Sequence, residues 1–163
     1  MASQVQTSLH SMLNHFYEDL VIAVSNLQIG ITEVAVHDAR VAIRSIKSVF
    51  KTCGPLLQNT PTEHLICELN WLNKNLAEIR DLDVMSEIIL DLGSKEFKEP
   101  IAQLLRGQRA HLEIAVSQVV QSERCAKLIR ALFQYSKEIP VKSQIRKLNA
   151  AKQNLVLQNL LLR

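Results

Sequence analysis

Between residues 33 and 53, Ala39, Ala42, Ile43, Ile46, Val49 and Phe50 recur at helical spacing, so one side of that segment is apolar throughout. The chain divides into further segments of this kind. A first helix is expected over about residues 4–28, stopping near Gly30. The second, 33–53, meets Gly54 and Pro55, a C-cap glycine followed by a residue that cannot continue a helix. Thr60, Pro61 and Glu63 form a start signal: Thr60 at the N-cap, Pro61 at the first helical position, Glu63 completing a capping box. The third helix carries Leu65 to Ile79 and continues, with a bend, through Arg80 and Asp83 to Leu92. Pro100 opens a fourth to about Gln121, Ser122 caps a fifth that ends before Pro140, and residues 141–162 read as a sixth. Short loops between them predict an all-α protein, an antiparallel helical bundle of about five to six helices forming one domain over 1–163.

Composition agrees. With 4 Gly and 4 Pro in 163 residues there is too little turn chemistry for an all-β chain, and 47% hydrophobic residues suffice for a core. Cys53, Cys67 and Cys125 are odd in number and widely spaced, so they read as reduced thiols rather than a disulfide framework or zinc site. The first residues lack the basic and apolar regions of a signal peptide, and the best apolar run, Leu20 to Val24, is too short to span a membrane. A cytoplasmic protein without membrane contact is expected.

Charge adds more. The net charge of +3 is segregated: residues 1–39 hold no Lys or Arg, whereas residues 40–62 hold Arg40, Arg44, Lys47 and Lys51 and no acid. From Ile139 onward Lys142, Arg146, Lys147, Lys152 and Arg163 are again unopposed. Placed at 100° per residue, His37, Arg40, Arg44, Lys47 and Lys51 fall within an arc of about 80°, opposite the apolar face. Like charges one turn apart repel by roughly 0.2–0.5 kcal/mol per pair. A helix that needed only solubility would intersperse glutamates. The stripe therefore reads either as a solvated basic face or as a surface whose counter-charge is a ligand or facing carboxylates. Arg80 shares a face with Leu69, Leu72 and Leu76, so it points at least partly inward, and Asp83 or Asp81 is the expected carboxylate partner. Arg109, in line with Leu105, Leu112 and Val116, poses the same question, with Arg106 on its flank.

These residues resemble a known family. Val36-His37-Asp38-Ala39-Arg40-Val41-Ala42-Ile43-Arg44-Ser45-Ile46-Lys47 is similar to the signature helix of CHAD domains, the conserved histidine α-helical domains. The stretch from Leu69 through Trp71, Leu72, Leu76, Arg80, Asp81 and Asp83 to Val84 resembles the second signature of that family. Ser122-Glu123-Arg124-Cys125 with Leu128 resembles a weaker third. The resemblance implies a helical bundle that binds inorganic polyphosphate without catalysis, needing no cofactor or metal, in the cytoplasm and near polyphosphate granules. Its phosphate-facing positions fall on His37, Arg40, Arg44 and Lys47, and its arginine-aspartate motif on Arg80. Lys51 joins on spacing alone, and Arg106 and Arg109 are added as inward or flanking cations. Ser45 departs from the family's usual arginine, and the second basic helix usual in the family has no counterpart from Val141 onward. The resemblance thus implies either the first half of a longer domain or a short form pairing with a second copy, and the leucine-rich end (Leu155, Leu157, Leu160, Leu161, Leu162) suits homodimerisation.

Two other readings remain open. His10 or His15 with His37, Asp38 and Asp81 or Asp83 is loosely similar to the metal ligands of HD-type metal-dependent phosphohydrolases. Against it, Asp38 lies about 100° from His37 on the helix, and the face around His37 is cationic. A nucleic-acid-binding module would use the same stripe, but 4% aromatic residues and no Asn or Gln among the cations disfavour it.

Overall fold

The computed structural model describes residues 2–57, 59–92 and 95–137. The sixth expected helix, 141–162, and the leucine-rich end lie outside the described residues. Six helices are present within them: α1 (Ala2–Ile29), α2 (Glu33–Cys53), α3 (Asn59–Asn75), α4 (Ala77–Leu92), α5 (Lys95–Val120) and α6 (Glu123–Lys137). No strand occurs among the described residues.

α2 matches its expected bounds because both ends are written locally. Thr32 caps it, its Oγ1 accepting from the Ala35 N–H at 3.1 Å. Inside, Ala35, Ala39, Ala42, Ile46, Val49 and Cys53 alternate by four and three residues, and Val36, Ile43 and Phe50 recur every seven; all nine are buried. The alanines let α1 approach closely, with Ala23 and Leu27 in the same core. Gly54 does not form the expected left-handed cap. Its φ and ψ are −48° and −41°, and the chain tightens into a 3-10 turn, Gly54–Leu56, closed by the Leu57 N–H on the Gly54 carbonyl at 3.2 Å. Pro55, whose φ suits the start of a turn, takes the second position.

α3 starts at Asn59, ahead of the expected cap at Thr60, and Pro61 still lies in the first turn where its missing N–H costs no bond. The long helix is interrupted at one residue, Leu76, between α3 and α4. The hydrogen-bond ladder continues through it, Leu76 N–H to Leu72 at 3.2 Å and Arg80 N–H to Leu76 at 3.3 Å. Asn75 Nδ2 meanwhile donates to the Trp71 carbonyl at 2.8 Å, a side-chain donor competing in the last turn of α3. Pro100 lies within α5 instead of opening it. It sits near the helix start, where the proline removes one bond rather than splitting a long ladder. Ser122 caps α6 as expected, accepting from Cys125 N–H at 3.2 Å.

α6 closes the bundle over α1 and α3. Phe133 meets Tyr17 at 5.9 Å between ring centroids, Phe50 meets Tyr135 edge-on at 5.4 Å, and the Tyr135 and Thr62 hydroxyls are 2.8 Å apart. Arg124 holds both oxygens of Glu68, at 2.7 and 3.0 Å, while lying 4.2 Å over the Trp71 ring. That hydrogen bonding, opposed in part by burial, keeps the Glu68 carboxyl below its ordinary value of 4.5. A carboxylate with a depressed folded-state pKa stabilises the fold above its unfolded value, and the contribution is lost as pH falls through the folded one. Urea unfolding should therefore show less stability loss between neutral and strongly acidic pH in Glu68→Gln than in wild type; equal losses would contradict the coupling.

All three cysteines are free, Cys67 exposed and the others buried. Burial pushes the Cys53 thiol up to about 11, so it behaves as a core side chain. Among the described residues no helix is long and apolar enough to cross a membrane.

Candidate functional site

The outward surface of α2 has two flanks of opposite character. On one, Asp38 and Val41 meet Asp19 and Ile22 of α1 across a groove of about 260 Å³. On the other, beside α3, run His37, Arg40, Arg44, Lys47 and Lys51; His37, Arg44 and Lys51 are exposed and Arg40 and Lys47 half-buried. From His37 to Lys51 the stripe extends roughly 21 Å at 1.5 Å per residue. Arg40 leans onto α3, where its Nη1 donates to the Asn73 carbonyl at 3.1 Å, near the interruption at Leu76. A guanidinium has five N–H donors, so that bond leaves the others for a ligand.

Ion pairing separates the two arginines of this stripe from the other described arginines. Of the seven arginines among the described residues, five hold a carboxylate: Arg80 with Glu33, Arg106 with Glu99, Arg109 with Asp83 and Glu113, Arg124 with Glu68, and Arg130 with Glu123. The two that hold none are Arg40 and Arg44. Among the described residues, no carboxylate lies within ion-pair distance of His37, Lys47 or Lys51 either. Repulsion along the stripe is thus relieved neither on α2 nor from facing helices.

The remaining candidates gather at the N-terminal end of α2. Arg80 is one-fifth exposed, as its inward direction predicted, but its partner is corrected: Nη1 donates to Glu33 Oε1 at 2.9 Å, not to Asp81 or Asp83. Asp83 turns instead toward α5, its side chain 3% exposed, and Oδ1 accepts from Arg109 Nε at 2.7 Å. Asp81 is exposed and borders a separate cleft with Gln108 and His111. Spacing on one helix shows which residues share a face; it does not show which neighbouring helix brings the nearer partner. Arg109 also donates to Glu113 and, at 3.0 Å, to the carbonyl of Ile31 in the α1–α2 turn. Burial lowers its pKa, but the bond to Asp83 and the charges of Asp83, Glu113 and Glu33 outweigh that and raise it. Arg109 therefore ties α5 to α4 and to the α1–α2 turn. Arg106, with Arg109, Asp83, Ser86 and Glu33, lines a cleft of about 190 Å³ and pairs with Glu99 at 2.7 Å. Glu33 is the site residue that the sequence reading overlooked. It stands one turn before His37 on the stripe's own arc, which was the available signal.

Among the described residues no three His, Cys, Asp or Glu side chains converge on a point that could hold a metal ion. His10 Nδ1 lies 3.1 Å from Asn14 Nδ2, and His15 lies 3.7 Å from Asp19, both within α1. The phosphohydrolase reading finds no ligand set there.

A family model described as the CHAD domain matches residues 13–161. The chain belongs to the CHAD domain family. A crystal structure of the CHAD domain from the plant Ricinus communis has the same fold, with a TM-score of 0.71 at 17% identity, over 85% of this chain and 49% of that one. This CHAD chain thus spans about half the length of its solved relative. No curated protein matches it.

Proposed function

We propose that the outward flank of α2 in this CHAD chain binds inorganic polyphosphate, and that it does so without turning the polymer over. The observation that carries the proposal is the pairing pattern among the described residues: five arginines hold carboxylates while Arg40 and Arg44, in one line with His37, Lys47 and Lys51, hold none. A line of like charges favours a ligand whose own charges repeat along a line; a single phosphate would meet only one or two of them. Arginine and lysine would engage phosphate oxygens by charge-assisted hydrogen bonds, with the guanidinium able to offer two at once. Arg80, Arg106 and Arg109 adjoin the stripe but already hold carboxylates, so they rank behind it as ligand contacts. Nucleic acid is disfavoured because α2 exposes no Phe, Tyr or Trp, its Phe50 being 1% exposed, which leaves few stacking platforms on that face.

Titration of long-chain polyphosphate into the protein at several salt concentrations tests the proposal. With Arg40, Arg44, Lys47 and Lys51 engaged, log K should fall against log[salt] with a slope of about −3, as expected for a flexible single-stranded polyanion. No binding at low salt, or release of inorganic phosphate as the polymer is consumed, would overturn it.

A further inference from the structure

Glu33 is the one carboxylate that α2 places in line with its own cations. At 100° per residue it falls inside the arc shared by His37, Arg40, Arg44, Lys47 and Lys51, whereas the other acid of the helix, Asp38, lies on the opposite flank toward α1. Two contacts fix α2 against the α3–α4 unit: Arg40 to the Asn73 carbonyl and Glu33 to Arg80. They are seven residues apart on both partners, with the chains antiparallel, so Arg80 stands beside the stripe two turns from Arg40. Arg80 is thereby in position to extend the cationic tract, and its occupant is Glu33.

That occupancy is weak by construction. The Glu33 side chain is 53% exposed against 20% for Arg80, so water screens the pair from the carboxylate's side and its contribution is modest. Glu33 also has somewhere else to go, because it lines the 190 Å³ cleft that contains Arg106 and Arg109. A multiply charged polymer arriving along the stripe offers Arg80 a stronger acceptor than one carboxylate.

We infer that Glu33 is an internal competitor for Arg80, holding its guanidinium until a polyphosphate chain running past His37 displaces the carboxylate and takes Arg80 as the last cation of the tract. The inference rests on the reading of the stripe as a polyphosphate site. It makes Glu33 a determinant of where along α2 the bound chain ends. It also makes the affinity of the whole tract adjustable at one exposed residue.

The test is a double-mutant cycle with long-chain polyphosphate as the probe, using wild type, Glu33→Gln, Arg80→Gln and the double variant, each checked for unchanged helicity. Glu33→Gln keeps the side-chain shape and frees Arg80. It should bind about two- to fivefold tighter, matching the strength of an exposed ion pair. Its salt slope should stay close to that of wild type, because Arg80 meets phosphate in both proteins and only the cost of displacing the carboxylate is gone. In the Arg80→Gln background the same change should give a clearly smaller gain in affinity. If wild type binds and Glu33→Gln leaves affinity unchanged, this inference falls while the proposed function stands. An equal gain with and without Arg80 would overturn it too, since the effect would then be a generic loss of one negative charge. No binding by any of the four proteins would remove both.

Discussion

Arg44→Glu is expected to weaken polyphosphate binding by about a hundredfold or more while leaving the protein slightly more stable. Arg44 is exposed and has no carboxylate partner among the described residues, so its charge is not consumed by the fold. A hydrogen bond to a charged group is worth about 1.5–3 kcal/mol, and reversal replaces that contact with repulsion. On stability the sign is opposite. Glutamate at 44 would lie one turn from both Arg40 and Lys47, turning two repulsive pairs into attractive ones at about 0.2–0.5 kcal/mol each. Binding lost together with a raised urea midpoint is a combination that a damaged fold cannot produce. Arg40→Glu should lose binding as strongly without the gain, because it also gives up the bond to the Asn73 carbonyl. Unchanged affinity in either variant would contradict the assignment of the stripe.

Arg109→Ala is expected to do the reverse, costing about 2–4 kcal/mol of stability with little direct effect on affinity in the protein that remains folded. Asp83 is 3% exposed and Arg109 is its only cation among the described residues; Oδ2 already lacks a hydrogen-bond partner among them. Removing the guanidinium leaves a buried carboxylate uncompensated, the costly half of breaking an ion pair. The same change releases the Ile31 carbonyl at the α1–α2 turn. Replacing Asp83 and Arg109 together should recover part of the loss, since no buried charge is then left alone. Urea denaturation of the two single variants and the double decides this. A loss below about 0.5 kcal/mol for Arg109→Ala, the range of ordinary surface changes, would show that the cluster is not a structural tie.

The two variants separate what the sequence could and could not disclose. α2 was legible because its information is local: an apolar face at helical spacing and a glycine-proline stop at 54 and 55, to which the structure adds the cap at Thr32. The cationic stripe was legible for the same reason, being a periodicity on one helix. The conformation of Gly54 and the placing of Pro100 inside α5 were misread, because each residue is compatible with more than one local geometry and packing selects among them. The partner of Arg80 was misread for a different reason. Asp83 is three residues away on the same helix, but Glu33, 47 residues distant, is brought to 2.9 Å by the antiparallel docking of α2 on the α3–α4 unit. Backbone acceptors such as the Asn73 and Ile31 carbonyls have no sequence signature at all. What distinguishes the stripe from an ordinary basic face is therefore a tertiary fact: every other arginine of the described chain was given a carboxylate, and these two were not.

The most direct test of polyphosphate binding by α2 is amide chemical-shift mapping of the 15N-labelled protein during a low-salt titration with long-chain polyphosphate. Perturbations should concentrate at His37, Arg40, Arg44, Lys47 and Lys51 and reach Glu33 and Arg80 as the carboxylate is displaced. The opposite flank of α2, at Asp38 and Val41 with Asp19 and Ile22, should respond less. Perturbations confined to Arg106 and Arg109, or none at polyphosphate concentrations that saturate other polyanion-binding proteins, would contradict it.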